Sequence, residues 1–215
     1  MHPTIIRAKE WDRNKRLREL GLVLPSFAEP RWGLIEAVRA AVVGRAGVTD
    51  NDTRAIGGIN AWNDPVRRLR EIYRAQNDWE KFEEDGVEGI INPRLKLKVV
   101  PVSTDEGTCD QAVSPRNRTR KGPATEKVTD LNSQFSFDFP SAPAPVGDEY
   151  QTWNLCTFDN GEDVRAELSC PVIFSSGHFV KFAERIFLID PGEWKKLSII
   201  EPDEAPGIVP TVRRK

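Results

Sequence analysis

The apolar residues of this chain change their spacing part-way along it, and that change restricts the fold to few classes. As far as Asn92-Pro93 they recur at helical intervals; beyond it they recur at every second residue. Apolar side chains at i, i+3, i+4 and i+7 line one face of a helix, whereas alternation lines one face of a strand. A chain that presents the first pattern and then the second is expected to be α+β, with its elements segregated. The expectation is a helical N-terminal half packed on a C-terminal antiparallel β-sheet with meander connections. Residues 1–92 make the mainly helical region, 93–203 the mainly antiparallel β region and 204–215 a flexible tail, together one compact domain.

Three helices are expected in the first region. Ile5–Leu20 is rich in Arg, Lys, Glu and Leu and ends at Gly21. In "EPRWGLIEAVRAAVVG" an apolar stripe of Trp32, Ile35, Val38, Ala41 and Val42 runs between Pro30 and Gly44. The third helix starts with Pro65 in its first position, runs to about Asn77, and buries Val66, Leu69, Ile72 and Tyr73. Trp79 and Phe82 extend that stripe, so the acidic "WEKFEEDGVE" reads as a solvated helix end.

In the second region "RLKLKVVPV" sets Leu95, Leu97 and Val99 against Arg94, Lys96 and Lys98, the pattern of a half-buried strand with one solvent face. Pro101 marks an edge strand or a strand end. Residues 103–133 read as a long polar loop that holds one short helix, "ATEKVTDLNSQ". "QFSFDF" alternates and reads as a strand over 134–139, and "PSAPAPVGD" as an extended connector. The last third is a meander, with hairpin turns at Asn160-Gly161 and at Ser175-Ser176-Gly177.

Composition then narrows the function. A net charge of −2 excludes a protein that coats nucleic acid over its whole surface, but not one with a local basic patch. Three cysteines are too few and too scattered for a disulfide framework, and Cys156 and Cys170 sit in apolar runs as small core residues. Neither a signal peptide nor a membrane-length apolar run is present, which leads to the expectation of a soluble, cytoplasmic chain without membrane contact.

Few residues can carry catalysis. His2 and His178 are the two histidines, and His178 falls at a turn. Cys109 lies in a polar segment where a Cys109–His178 pair would be the candidate for nucleophilic chemistry. The phosphate-loop, dinucleotide and nucleophile-elbow motifs are all absent. Glu167 and Glu184 interrupt apolar strands, and alternation sets Arg165, Glu167 and Ser169 on one face, where Lys181 pairs with Glu167 in a solvent-facing ladder. No catalytic residue, metal ligand or cofactor is assigned on these grounds.

The basic residues remain. Arg116, Arg118, Arg120 and Lys121 fall within "SPRNRTRKGPAT", Arg94, Lys96 and Lys98 share a strand face, and Arg67, Arg70 and Arg74 form a helical stripe. Arginine's planar fork suits bidentate contact with phosphate. The expectation is a non-enzymatic binding component, such as a subunit of a larger assembly. It would contact nucleic acid or another phosphate ligand through Arg94, Lys96, Lys98, Arg116, Arg118, Arg120 and Lys121. Two alternatives stand beside it. One is an enzyme acting on a phosphate-containing substrate, with His178 or Glu167/Glu184 as its acid–base group. The other is an adaptor for a protein partner or a second copy of the chain, using Trp11, Trp62 and Trp194.

Overall fold

The computed structural model describes residues 4–6, 10–75, 78–135 and 149–197. A short strand β1 (Thr4–Ile6) precedes three helices: α1 (Glu10–Glu19), α2 (Arg31–Ala46) and α3 (Ile56–Tyr73). Three strands follow, β2 (Glu80–Glu84), β3 (Val87–Asn92) and β4 (Leu97–Ser103), and then α4 (Pro123–Phe135). The chain closes with β5 (Gln151–Asp159), β6 (Val164–Ser175), β7 (His178–Ile189) and the single turn α5 (Trp194–Leu197). All seven strands join one sheet in the order β1-β7-β6-β5-β4-β3-β2. The class is α+β, and β5-β6-β7 form the antiparallel meander read from the sequence. Two pairs, β1–β7 and β4–β5, are parallel.

One face of the sheet takes the helices. Leu17 of α1, Leu34 and Val38 of α2, and Leu69 and Tyr73 of α3 share a cluster with Ile90, Val99, Trp153, Leu168 and Ile186. Both halves of the sequence therefore contribute to one core. The opposite face is covered by α4 and by the chain between β4 and α4, over a smaller cluster of Phe82, Val100, Val102, Phe179 and Phe182.

Several elements depart from their sequence reading, each for a physical reason. Strand replaces helix already at Glu80, because Asp85 and Gly86 adopt φ of 50° and 77° and close a two-residue hairpin in which Glu84 pairs with Val87. Asp-Gly is a strong signal for that turn. "WEKFEEDGVE" is thus a hairpin and not a helix end. Ile5 and Ile6 lie in β1 and not in the first helix. The third helix begins nine residues before Pro65, which sits in its interior. Lys96 has φ 51° and stands in the turn that precedes β4, so "RLKLKVVPV" is not one alternating strand. β4 lies between β3 and β5 and is buried on both faces; Pro101 is tolerated inside it because the β3 ladder stops at Val99. The long segment after β4 is folded: Thr104 bridges Asn117, and the short helix appears as α4. The strand expected over 134–139 overlaps the end of α4, and the rest of it lies outside the described residues, as do the connector and the tail.

Candidate anion-binding groove along helix α4

Alternation settles which residues share the α4 side of the sheet. Lys98, Val100 and Val102 of β4 stand in register with Thr152, Asn154 and Cys156 of β5. Asn154 and Cys156 pair in turn with Ser169 and Glu167 of β6, and these with Arg185 and Phe187 of β7. A polar stripe, Thr152, Asn154, Ser169, Glu167 and Arg185, therefore crosses the middle of a covered sheet face. Asn132 anchors α4 over it. Its amide donates to the carbonyls of Thr152 (2.7 Å) and Pro171 (2.8 Å), and its Oδ1 accepts from the Thr152 N–H (2.8 Å). Asn132 thus bridges β5 and β6 just past Asn154 and Ser169, where their ladder ends.

The groove lies between α4 and the β2–β3 hairpin. At its N-terminal end a hollow of about 400 Å³ is lined by Arg120, Lys121, Gly122 and the first turn of α4 on one wall and by Asp85–Val87 on the other. A second hollow of about 140 Å³ continues it past Lys127, Leu131, Lys98 and Tyr150, and the two share Asp85, Val87 and Ala124. Basic residues from the strand and from the loop meet here. The Lys98 ammonium lies 4.1 Å from the centre of the Phe82 ring and 5.2 Å from that of Tyr150, and Lys96 lies 4.9 Å from Tyr150. Glu84, Asp85 and Glu149 also line the groove, and Glu84 approaches Lys98 to 3.7 Å.

Two lysines in the groove are easier to deprotonate than usual. Burial lowers the Lys98 pKa, Lys127 lowers it further, and Glu84 works against both. Burial is the sole cause at Lys121, which has no ion pair with any described residue. A desolvated ammonium without a counter-ion is a costly arrangement that an incoming anion relieves.

The remaining basic residues go elsewhere. Arg94 is exposed and pairs with Asp78 at 2.7 Å. The Arg116 side chain is exposed, while its N–H donates to Asp105. Arg118 donates to the carbonyls of Thr104 (3.1 Å) and Asp159 (2.8 Å) and lies over Phe158, so it ties the loop to the end of β5. Arg118 and Arg45 border a separate cavity of about 430 Å³, together with Asp159, Glu162 and Trp194. The α3 arginines serve the helical face: Arg70 reaches Glu88 and the carbonyls of Gly89 and Phe82, and Arg67 pairs with Asp64. The three basic groups of the sequence therefore do not form one surface. Lys98, Arg120 and Lys121 share the groove with Lys127, and Lys96 lies against the Tyr150 ring at its border.

The residues weighed as acid–base groups are separated as well. Glu167 is fully buried and faces Arg185, not Lys181, whose partner in the ladder is Ile173. Arg185 donates to both Glu167 oxygens (2.8 and 2.7 Å) and to the carbonyls of Gly107, Asp110 and Val113. Desolvation works against the Arg185 charge, but the hydrogen bonds and charge of Glu167 outweigh it and hold the guanidinium above its ordinary pKa. Glu184 lies on the opposite sheet face, bound by Arg16 at 2.7 and 2.8 Å. His178 sits with Nδ1 3.2 Å from the Asn117 carbonyl. Cys109 is buried, its N–H on Glu167 and its thiol on the Ala166 carbonyl. Burial, and then the Glu167 charge, push that thiol pKa well up, which disfavours the thiolate that nucleophilic chemistry needs, and no hydrogen bond joins it to His178. All three cysteines are free and buried.

Sequence reading missed Lys127, Tyr150 and the covered polar residues beneath the groove. The first had a signal: a helix that starts at Pro123 sets Ala124, Lys127, Val128 and Leu131 on one side, with Lys121 at its N-terminal end. The covered residues had none, since Thr152 and Asn154, alternating with Trp153 and Leu155, look like a solvent face. Among the described residues no group of three or more His, Cys, Asp and Glu is placed to hold a metal, and no helix is long and apolar enough to cross a membrane. Comparison with protein-family models, with curated proteins and with solved structures finds no match to this chain.

Proposed function

We propose that this protein is a non-enzymatic binding component that holds a phosphate-bearing ligand, single-stranded nucleic acid being the best fit, along the groove beside α4. The observation that carries the reading is Lys121: half-buried at the N-terminal end of a helix, without a carboxylate partner among the described residues. The positive end of the α4 dipole adds to its field. Lys98 and Lys127 extend the positive charge along α4, and the Tyr150 ring offers a surface on which a base can stack. From Ala124 to Leu131 the helix rises about 10 Å, a span of two to three nucleotides. Binding is favoured over catalysis because Glu167, Glu184 and His178 are held by separate partners on different parts of the sheet.

Fluorescence anisotropy with labelled single- and double-stranded DNA and RNA tests this, comparing the wild type with an Arg120→Ser/Lys121→Met/Lys127→Gln variant. Three phosphate contacts to a single strand give a salt slope near −2, so a fourfold rise in salt weakens binding about twentyfold. Salt-sensitive binding that the triple variant loses supports the reading. Absence of binding at low salt, or binding that the variant retains, overturns it.

A further inference from the structure

Beneath the groove, between α4 and the sheet, lies a slot of about 40 Å³ whose walls include Val100, Val102, Thr125, Thr152, Asn154 and Phe179. Lys121 borders both this slot and the outer hollow, so the two meet at its side chain. Thr152 is 1% exposed and Asn154 3%, yet Thr152 Oγ1 and Asn154 Nδ2 find no hydrogen-bond partner among the described residues. Nearly all buried polar atoms in folded proteins are paired, because an unpaired one keeps the full cost of leaving water. Two such atoms in one slot, beside a desolvated lysine and the N-terminal end of a helix, are an independent sign of a ligand. The chemistry is one-sided: an ammonium, an amide N–H₂ and a hydroxyl all donate, and the carboxylate among the wall residues, Glu88, is taken by Arg70 at 2.8 Å. Asp85 borders only the outer hollow and the groove.

We infer that the slot receives the phosphate head of a phosphomonoester, held by Lys121, Asn154 and Thr152. The inference rests on the groove reading and deepens it: the ligand enters by a terminal phosphate and lays its chain along α4. Size and charge separate a monoester from an internal diester. The slot holds roughly three times the volume that one water needs, which suits a phosphate head but not a sugar or base. A monoester carries about −1.5 to −2 charge and three free oxygens for three donors; a diester carries a single charge, has two free oxygens, and is flanked by sugars on both sides.

The test compares one oligonucleotide in three forms, with a 5′-phosphate, a 3′-phosphate or hydroxyls at both ends, the label placed internally. A terminal phosphate at one end is expected to tighten binding about tenfold or more. Thr152→Val and Asn154→Leu are expected to erase that preference while leaving the affinity for the hydroxyl form unchanged. Both variants should keep or raise the wild-type Tm, since each removes an unpaired polar atom, so loss of the preference cannot be assigned to misfolding. Equal affinity for all three forms overturns the slot inference and leaves the groove reading in place. If no oligonucleotide binds, but inorganic phosphate raises the wild-type Tm and not that of Asn154→Leu, the groove reading falls and the slot inference stands for small phosphomonoesters. No Tm response to phosphate together with no end preference means the slot holds water only, and overturns it.

Discussion

Two neighbouring patches of one sheet face are completed in opposite ways. On β6 and β7 the charges of Glu167 and Arg185 are fully buried, yet every part of them is used: the carboxylate accepts from Arg185, Ser169 and the Cys109 N–H, and the guanidinium reaches three loop carbonyls. A strand away, Thr152 and Asn154 of β5 are equally buried and keep polar atoms without partners among the described residues, with a lysine beside them that no described carboxylate compensates. The first patch holds the 105–113 segment to the sheet and reads as structure. The second has donors left over and reads as a site. Burial and charge alone do not distinguish the two: the sequence placed Lys121 in the leading binding surface and Glu167 in the enzyme alternative. What separates them is whether the fold itself supplies the partners.

The comparison can be broken most severely at Arg185. Arg185→Met leaves the Glu167 carboxylate and three carbonyls buried without their donor, and is expected to cost about 3–5 kcal/mol in denaturant unfolding. Adding Glu167→Gln should restore only part of that loss, because the carbonyls stay unpaired. Full recovery would mean that the pair serves only itself and does not hold the loop.

At Lys121 the expected effect is smaller and of opposite sign. Lys121→Met is expected to stabilise the protein by about 0.5–1 kcal/mol near pH 7, because the charged form pays for burial. The folded-state pKa is lowered from the ordinary value of 10.5, so the penalty is complete wherever the lysine is charged in both states. It is relieved as pH rises through the lowered pKa, where the folded protein releases its proton before the unfolded chain does. Melting curves from neutral pH to about pH 10 should therefore show the gap between variant and wild type closing. A gap that persists, or a destabilised variant, would show that Lys121 has a partner in the folded chain and would remove the contrast between the patches.

The smallest effect is expected at the cysteines. A thiol reagent near pH 8 should label none of Cys109, Cys156 and Cys170 in the native protein on the timescale of minutes, and all three in denaturant. Prompt labelling of Cys109 alone would show that the 105–113 segment opens readily and that the buried ion pair is a weaker clasp than its geometry implies.

Local rules made much of the fold legible. The α2 stripe, the turns at Asn160-Gly161 and Ser176-Gly177 and the short helix α4 could all be read from spacing and from the backbone freedom of particular residues. So could the hairpin at Asp85-Gly86, had that pair outweighed the apolar spacing of Trp79 and Phe82. The candidate site was only half legible, since three of its basic residues, Lys98, Arg120 and Lys121, were named but Arg94, Lys96, Arg116 and Arg118 were grouped with them on proximity in sequence. Arg118 and Lys121 are three residues apart, yet one is bound to the end of β5 and the other opens onto α4.

Helix and strand periods, turn residues and the α+β class were fixed by the order of the side chains, because each depends on neighbours a few positions away. Which polar residues would be covered, paired or left short of a partner was decided only when β4 met β5 in parallel and α4 closed over them. Hydrogen-bond partners such as Glu167 and Cys109, or Asn132 and Pro171, come from distant parts of the chain. A strand that alternates polar and apolar reads the same from sequence whether its polar face meets water or another element. Only the packing of that second element turns Thr152 and Asn154 from a solvent face into the floor of a slot.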